Sequence, residues 1–147
     1  MGVAVLNQQT IVPIDLRTMR QKARLLLNAL DCKEAELSIV LVDNTTIASL
    51  NAEWRRVEDS TDVLAFPMDE DRADIPHPPL LGDVVISVER AAAQAEEAGH
   101  SLENEMDALL IHGLLHLIGY DHEDSAEQAA AMTLKEAELL GLLSRGD

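Results

Sequence analysis

The sequence predicts an α+β domain in which a small mixed β-sheet is covered by helices. Two runs rich in branched residues, Glu36–Val42 and Leu80–Ser87, read as strands, and segments with apolar residues at helical spacing surround them. Most connections between successive strands are incompatible with a hairpin, which points to a mixed sheet rather than a purely antiparallel one. The 147 residues, 47% of them hydrophobic, suffice for one core and are too few for two, so residues 1–147 are expected to form a single domain.

Val3 to Val12 reads as an edge strand with a polar interruption at Asn7-Gln8-Gln9, closed by Pro13. Asp15 is suited to cap the next helix, in which Leu16, Met19, Ala23, Leu26, Leu27 and Leu30 recur at helical spacing until Asp31-Cys32 ends the pattern. After the strand Glu36–Val42, Asn44 is expected to cap a short helix through Ile47, Leu50 and Trp54. Thr61 to Phe66 reads as a strand stopped by Pro67, and Met68 to Pro79, rich in Asp and Pro, as an exposed acidic loop that contains His77. The strand Leu80–Ser87 leads into an alanine-rich helix, Val88 to Ala98, ended by Gly99, with His100 in the turn. Ser101 then opens a long apolar helix that runs to Ile118. Ser125 with Gln128 forms a capping-box pattern for the last helix, which packs through Ala129, Met132, Leu139 and Leu140.

Aromatic residues are only 2% of the chain, Trp54, Phe66 and Tyr120, so the core is aliphatic and a platform for stacked bases is not expected. The net charge of −16 opposes non-specific binding of a polyanion. That charge is uneven: residues 1–56 carry seven Lys and Arg against six Asp and Glu, net +1, and residues 57–147 carry four against 21, net −17, together −16. Arg17, Arg20, Lys22, Arg24, Arg55 and Arg56 therefore dominate the expected basic surface. The single cysteine, Cys32, cannot form an internal disulfide and fits a reducing compartment, as a small apolar side chain near a helix end. The first residues lack the basic segment and apolar run of a secretory signal, and Leu6 breaks the myristoylation pattern. The uncharged stretch Ala108 to Tyr120 is shorter than a membrane span, so a cytoplasmic protein with no membrane association is expected.

Three of the five histidines fall within one short segment, His112-Gly-Leu-Leu-His116-Leu-Ile-Gly-Tyr-Asp-His122. A separation of four places His112 and His116 on the same helix face, roughly 6 Å apart along the axis, so both reach one ion. Gly119 can end the helix in a left-handed cap and Tyr120-Asp121 turn the chain, so that His122 arrives as a third ligand. One such pair arises readily by chance in an apolar helix. Two imidazoles buried among Leu109, Leu110, Leu114, Leu115, Leu117 and Ile118, however, are costly to desolvate without a shared partner, and a metal supplies one. Three neutral nitrogen ligands suit Zn²⁺, one ion per chain, with the fourth position open as in catalytic sites. The helix is zincin-like, but the zinc-peptidase motif places Glu directly after its first histidine as general base, and here that position is Gly113. His77 shares no spacing with the others and is expected to be an exposed loop residue.

The chain resembles the YbeY family of endoribonucleases. The resemblance rests on Asn51-Ala-Glu-Trp-Arg55 leading into Thr61-Asp-Val-Leu-Ala-Phe-Pro67, on Leu81-Gly-Asp-Val-Val-Ile-Ser87, and on His112 to His122, and it covers roughly Glu36 to Leu140. It implies metal ligands at His112, His116 and His122 and a catalytic arginine at Arg55. It further implies a zinc-dependent endoribonuclease specific for single-stranded RNA, acting in 3′-end maturation of small-subunit (16S) ribosomal RNA and in ribosome quality control. Small-subunit ribosomal proteins and an assembly GTPase are the implied associates. Trp54 stands where a tyrosine is common in the family, Arg56-Val57 replaces Gly-Lys, Ser60 replaces a proline and Ala65 a serine, all near Arg55 and none in the histidine segment.

Phosphodiester cleavage requires relief of charge on phosphorus. Zn²⁺ with an open position supplies it, and Arg55 can add a bidentate contact to the same phosphate. With no carboxylate directly after His112, the metal-bound hydroxide, or an acid such as Asp83 or Asp121, would have to serve as base. A strand-end carboxylate bonded to backbone is at least as good a reading of Asp83, and orienting a ligand is the other reading of Asp121, while water and the substrate's 2′-hydroxyl both remain open as the attacking group. Two alternatives stand beside this reading: a zinc peptidase of related fold, and a non-catalytic ribosome-assembly factor stabilised by its metal.

Overall fold

The computed structural model describes residues 3–32, 35–55, 63–67, 80–118 and 126–145. The elements run β1 (Val3–Asn7), α1 (Leu16–Ala29), β2 (Glu36–Val42), α2 (Asn44–Arg55), β3 (Val63–Pro67), β4 (Leu80–Ser87), α3 (Val88–Ala98), α4 (Leu102–Leu117) and α5 (Ala126–Arg145). The sheet order is β1-β2-β4-β3, with β1, β2 and β4 parallel and β3 antiparallel to β4 at the far edge. This is the small mixed sheet of an α+β fold. Pro67 is the last residue of β3, the edge strand, a position where proline is tolerated.

Alternation along the strands builds two apolar layers. Val3, Val5, Leu37, Ile39, Leu41, Val84 and Ile86 face the helices α1, α4 and α5 in the larger core, while Val42, Leu64 and Val85 face Ile47 and Leu50 of α2 in the smaller one. α4 packs on α3, α5, β3 and β4. It buries Met106, Leu109, Leu110, Ile111, Leu114 and Leu115, so nearly its whole circumference is apolar and interior.

Capping accounts for the helix boundaries. Asp15 accepts from the N–H groups of Arg17 and Thr18, and Ser87 and Ser101 cap α3 and α4 through Arg90 and Asn104. Gly99 closes α3 at φ 76°, in the left-handed region. Gly82, at φ 137°, lies where the β2–β4 register shifts between Glu36 and Leu37, an extra residue accommodated as a bulge.

Four expectations are corrected. The first strand ends at Asn7, not Val12. Its continuation is replaced by the Gln9 side chain, whose amide oxygen accepts from the N–H groups of Ile11 and Val12 and whose amide nitrogen donates to the Val12 carbonyl. The cap of α2 is Asp43, which accepts from Thr46 N at 2.8 Å, while Asn44 is the first helical residue. Lys22 is no surface cation: it is 8% exposed, and its ammonium donates to Asp107 at 3.0 Å and Glu103 at 2.7 Å, joining α1 to α4. The histidines on α4, finally, are half-buried rather than enclosed.

Among the described residues no helix is long and apolar enough to cross a membrane. The acidic loop 68–79 with His77, and Ser125, lie outside the described residues.

Candidate metal centre

α4 presents His112 and His116 on its one partly open stripe, beside α5. The Nε2 atoms of the two imidazoles stand 3.2 Å apart, with the rings edge to face at 78° and centroids 4.7 Å apart. Two nitrogen ligands at the usual Zn–N distance in a tetrahedral arrangement lie about 3.4 Å apart. The observed separation therefore fits two ligands converging on one ion, and the donor set, two imidazole nitrogens, is of the type zinc prefers.

Gly113 explains how α4 comes so close to the sheet. A Cβ at this position would sit 2.8 Å from Val84 Cγ1 and 3.2 Å from Val63 Cγ2, so the helix packs with its backbone against β3 and β4. Position 113 thus lies against the sheet, beside the histidine face of the helix, and a side chain as large as the glutamate of the peptidase motif would collide with Val84 and Val63.

A carboxylate that sequence reasoning missed completes the described part of the site. Glu136 Oε2 on α5 accepts from His112 Nδ1 at 2.9 Å, with the two side chains 32% and 30% exposed for His112 and Glu136. The signal was present in the pattern of α5. Met132, Leu139 and Leu143 form its buried stripe, and Glu136 is an acidic residue four positions after Met132 on that stripe.

His122, Asp121 and Gly119 lie outside the described residues, and among the described residues no group of three or more His, Cys, Asp or Glu is arranged to hold a metal. Arg55 closes α2, on the sheet face opposite α4, and its side chain is outside what is described. From there the chain leads to β3, the edge strand that packs on α4. Asp83 is exposed on β4 and, by strand alternation, points to the face opposite Val84 and the histidine helix. His100 in the α3–α4 turn is paired with Glu105 at 2.6 Å.

A family model described as Endoribonuclease YbeY matches residues 4–144. An Endoribonuclease YbeY of Syntrophus aciditrophicus (strain SB) is 41% identical over 144 residues, covering 97% of this chain and 90% of that one. Another, from Thermobifida fusca (strain YX), is 44% identical over 146 residues, covering 96% of this chain and 94% of that one. The solution structure of TM1509 from Thermotoga maritima shares the fold with a TM-score of 0.66 at 24% identity, over 96% of this chain and 88% of that one.

Proposed function

The chain belongs to the YbeY endoribonuclease family, and from that premise we propose that it is a single-domain, metal-dependent endoribonuclease that cleaves single-stranded RNA. The observation that carries the metal part of this reading is the 3.2 Å approach of His112 Nε2 to His116 Nε2 on a half-exposed helix face. His112, His116 and, from the sequence spacing, His122 would hold one Zn²⁺. When bound, the ion supplies Lewis acidity toward a phosphoryl oxygen and a means to ionise water near neutral pH.

The chain's own groups supply the rest. Arg55 is assigned to the scissile phosphate through its planar guanidinium, which offers two parallel hydrogen bonds. The Gly113 position denies a carboxylate base to this helix face, which argues against the peptidase alternative. Within the family reading, the substrate is small-subunit (16S) ribosomal RNA at its 3′ end, in the cytoplasm, with ribosomal proteins and an assembly GTPase as associates.

The test is to incubate the purified protein with labelled single-stranded RNA and with casein, with and without a chelator. RNA cleavage that the chelator abolishes, with casein intact, is the expected result. Casein cleavage alone would establish the peptidase, and a metal-loaded protein with neither activity would establish the assembly factor.

A further inference from the structure

Building on the metal reading above, we propose that Glu136 is a positioning residue for the metal: from α5 it fixes the tautomer and orientation of His112 on α4. A carboxylate only accepts hydrogen bonds, so its 2.9 Å contact places the proton of the neutral imidazole on Nδ1. The lone pair is then on Nε2, the atom that faces His116 Nε2. Without this contact the ring is free to adopt the other tautomer or to turn, and either change removes the converging nitrogen.

Glu136 is well placed for this work. Its backbone is held by the buried neighbours Met132 and Leu139, each 1% exposed, so its side chain starts from a fixed point. A carboxylate at that place loses hydration that an apolar residue would not miss, and the contact with His112 offsets the loss. As a helix clasp alone it would be weak, because both partners are about one-third exposed and such pairs add little stability. Two other acidic contacts provide the contrast. Glu138 is 65% exposed and paired with Lys135, and the Glu105–His100 pair sits at the opposite end of α4 from the histidine pair. Only Glu136 among these three has an imidazole that is itself set against a second imidazole. Carboxylates in this relation to a ligating histidine raise its basicity and lock its orientation.

The experiment measures Zn²⁺ affinity by competition with a chromogenic chelator for the wild type, Glu136→Ala, Glu136→Gln and His116→Ala, with thermal melts of each metal-free protein. Glu136→Ala should bind zinc about 10–100-fold more weakly than wild type, with a metal-free melt close to wild type. Glu136→Gln, whose amide oxygen still accepts from Nδ1, should lose less, and it provides the comparison should the alanine variant not fold. His116→Ala should retain no tight zinc. Wild-type zinc affinity in both Glu136 variants, with none in His116→Ala, overturns the positioning role and leaves the metal reading in place. A lowered metal-free melt with unchanged zinc affinity also overturns it, making Glu136 a helix clasp. Wild-type affinity in His116→Ala overturns the metal reading, and this inference with it.

Discussion

Gly113 contributes no side chain and yet sets how close the histidine helix lies to the sheet. An alanine there would press its methyl to 2.8 Å from Val84 Cγ1, a fully buried, stiff β-branched side chain that has little freedom to yield. Gly113→Ala is expected to destabilise the protein by about 1–3 kcal/mol in urea unfolding, the strain outweighing the gain in helix propensity. Adding Val84→Ala should recover part of that loss relative to Val84→Ala alone; strict additivity of the two changes would show that they do not collide. Arg55 is the second residue whose role is open to a direct test. Arg55→Ala should keep zinc content and fold and lower kcat by about two orders of magnitude or more, and Arg55→Lys should restore little, since a point charge lacks the two-bond fork. RNA cleavage by Arg55→Ala at the wild-type rate would remove it from the chemistry. At this scale the histidine pair was legible because i,i+4 spacing is a local property of one helix. Glu136 was marked only as an acidic residue on an apolar stripe; its pairing with His112 was not legible, because the partner is on another helix and their meeting depends on how α4 and α5 dock.

Elements were legible wherever a local signal sufficed. Branched residues mark β2 and β4 to their ends, and Asp15, Ser101 and Gly99 mark helix boundaries through capping chemistry. The strand expected through Val12 failed because a glutamine side chain satisfied the local backbone in place of a neighbouring strand. Lys22 failed in the same way: a lysine reads as solvated surface until tertiary packing sets two carboxylates against it. Burial alone would lower the pKa of its ammonium, but the hydrogen bonds it donates to Glu103 and Asp107 prevail and raise it above the ordinary 10.5. A raised pKa in the folded state means the stabilisation is complete below about pH 10 and is lost as pH climbs through the folded value. Lys22→Met leaves the largely buried Asp107 carboxylate without its ammonium and should cost about 3–5 kcal/mol at neutral pH. The double variant Lys22→Met/Asp107→Leu should cost much less and should lose the alkaline dependence; chemical unfolding at pH 7 and pH 11 checks both.

For the whole molecule, an acidic protein whose family acts on RNA is expected to concentrate its substrate contacts on few cations. With Lys22 committed to the α1–α4 joint, Arg17 and Arg24, which are exposed, and Arg20, which is half-exposed, are the cations that α1 offers. Reversing all three to Glu is expected to raise KM for single-stranded RNA, and KM of the wild type should climb steeply with added salt. An unchanged KM in the reversed variant would show that α1 faces away from the substrate. The charge asymmetry behind this expectation was legible in the sequence, whereas the removal of Lys22 from the basic surface was not.

The most direct measurement of the central claim is the rate of single-stranded RNA cleavage by wild type and His116→Ala, each stripped with chelator and then titrated with Zn²⁺. Wild type should be inactive when stripped and recover fully at about one equivalent of zinc, as expected if the proposed site on α4 takes one ion. His116→Ala should remain inactive throughout while retaining its fold. Cleavage by stripped wild type, or by His116→Ala at the wild-type rate, would contradict the account.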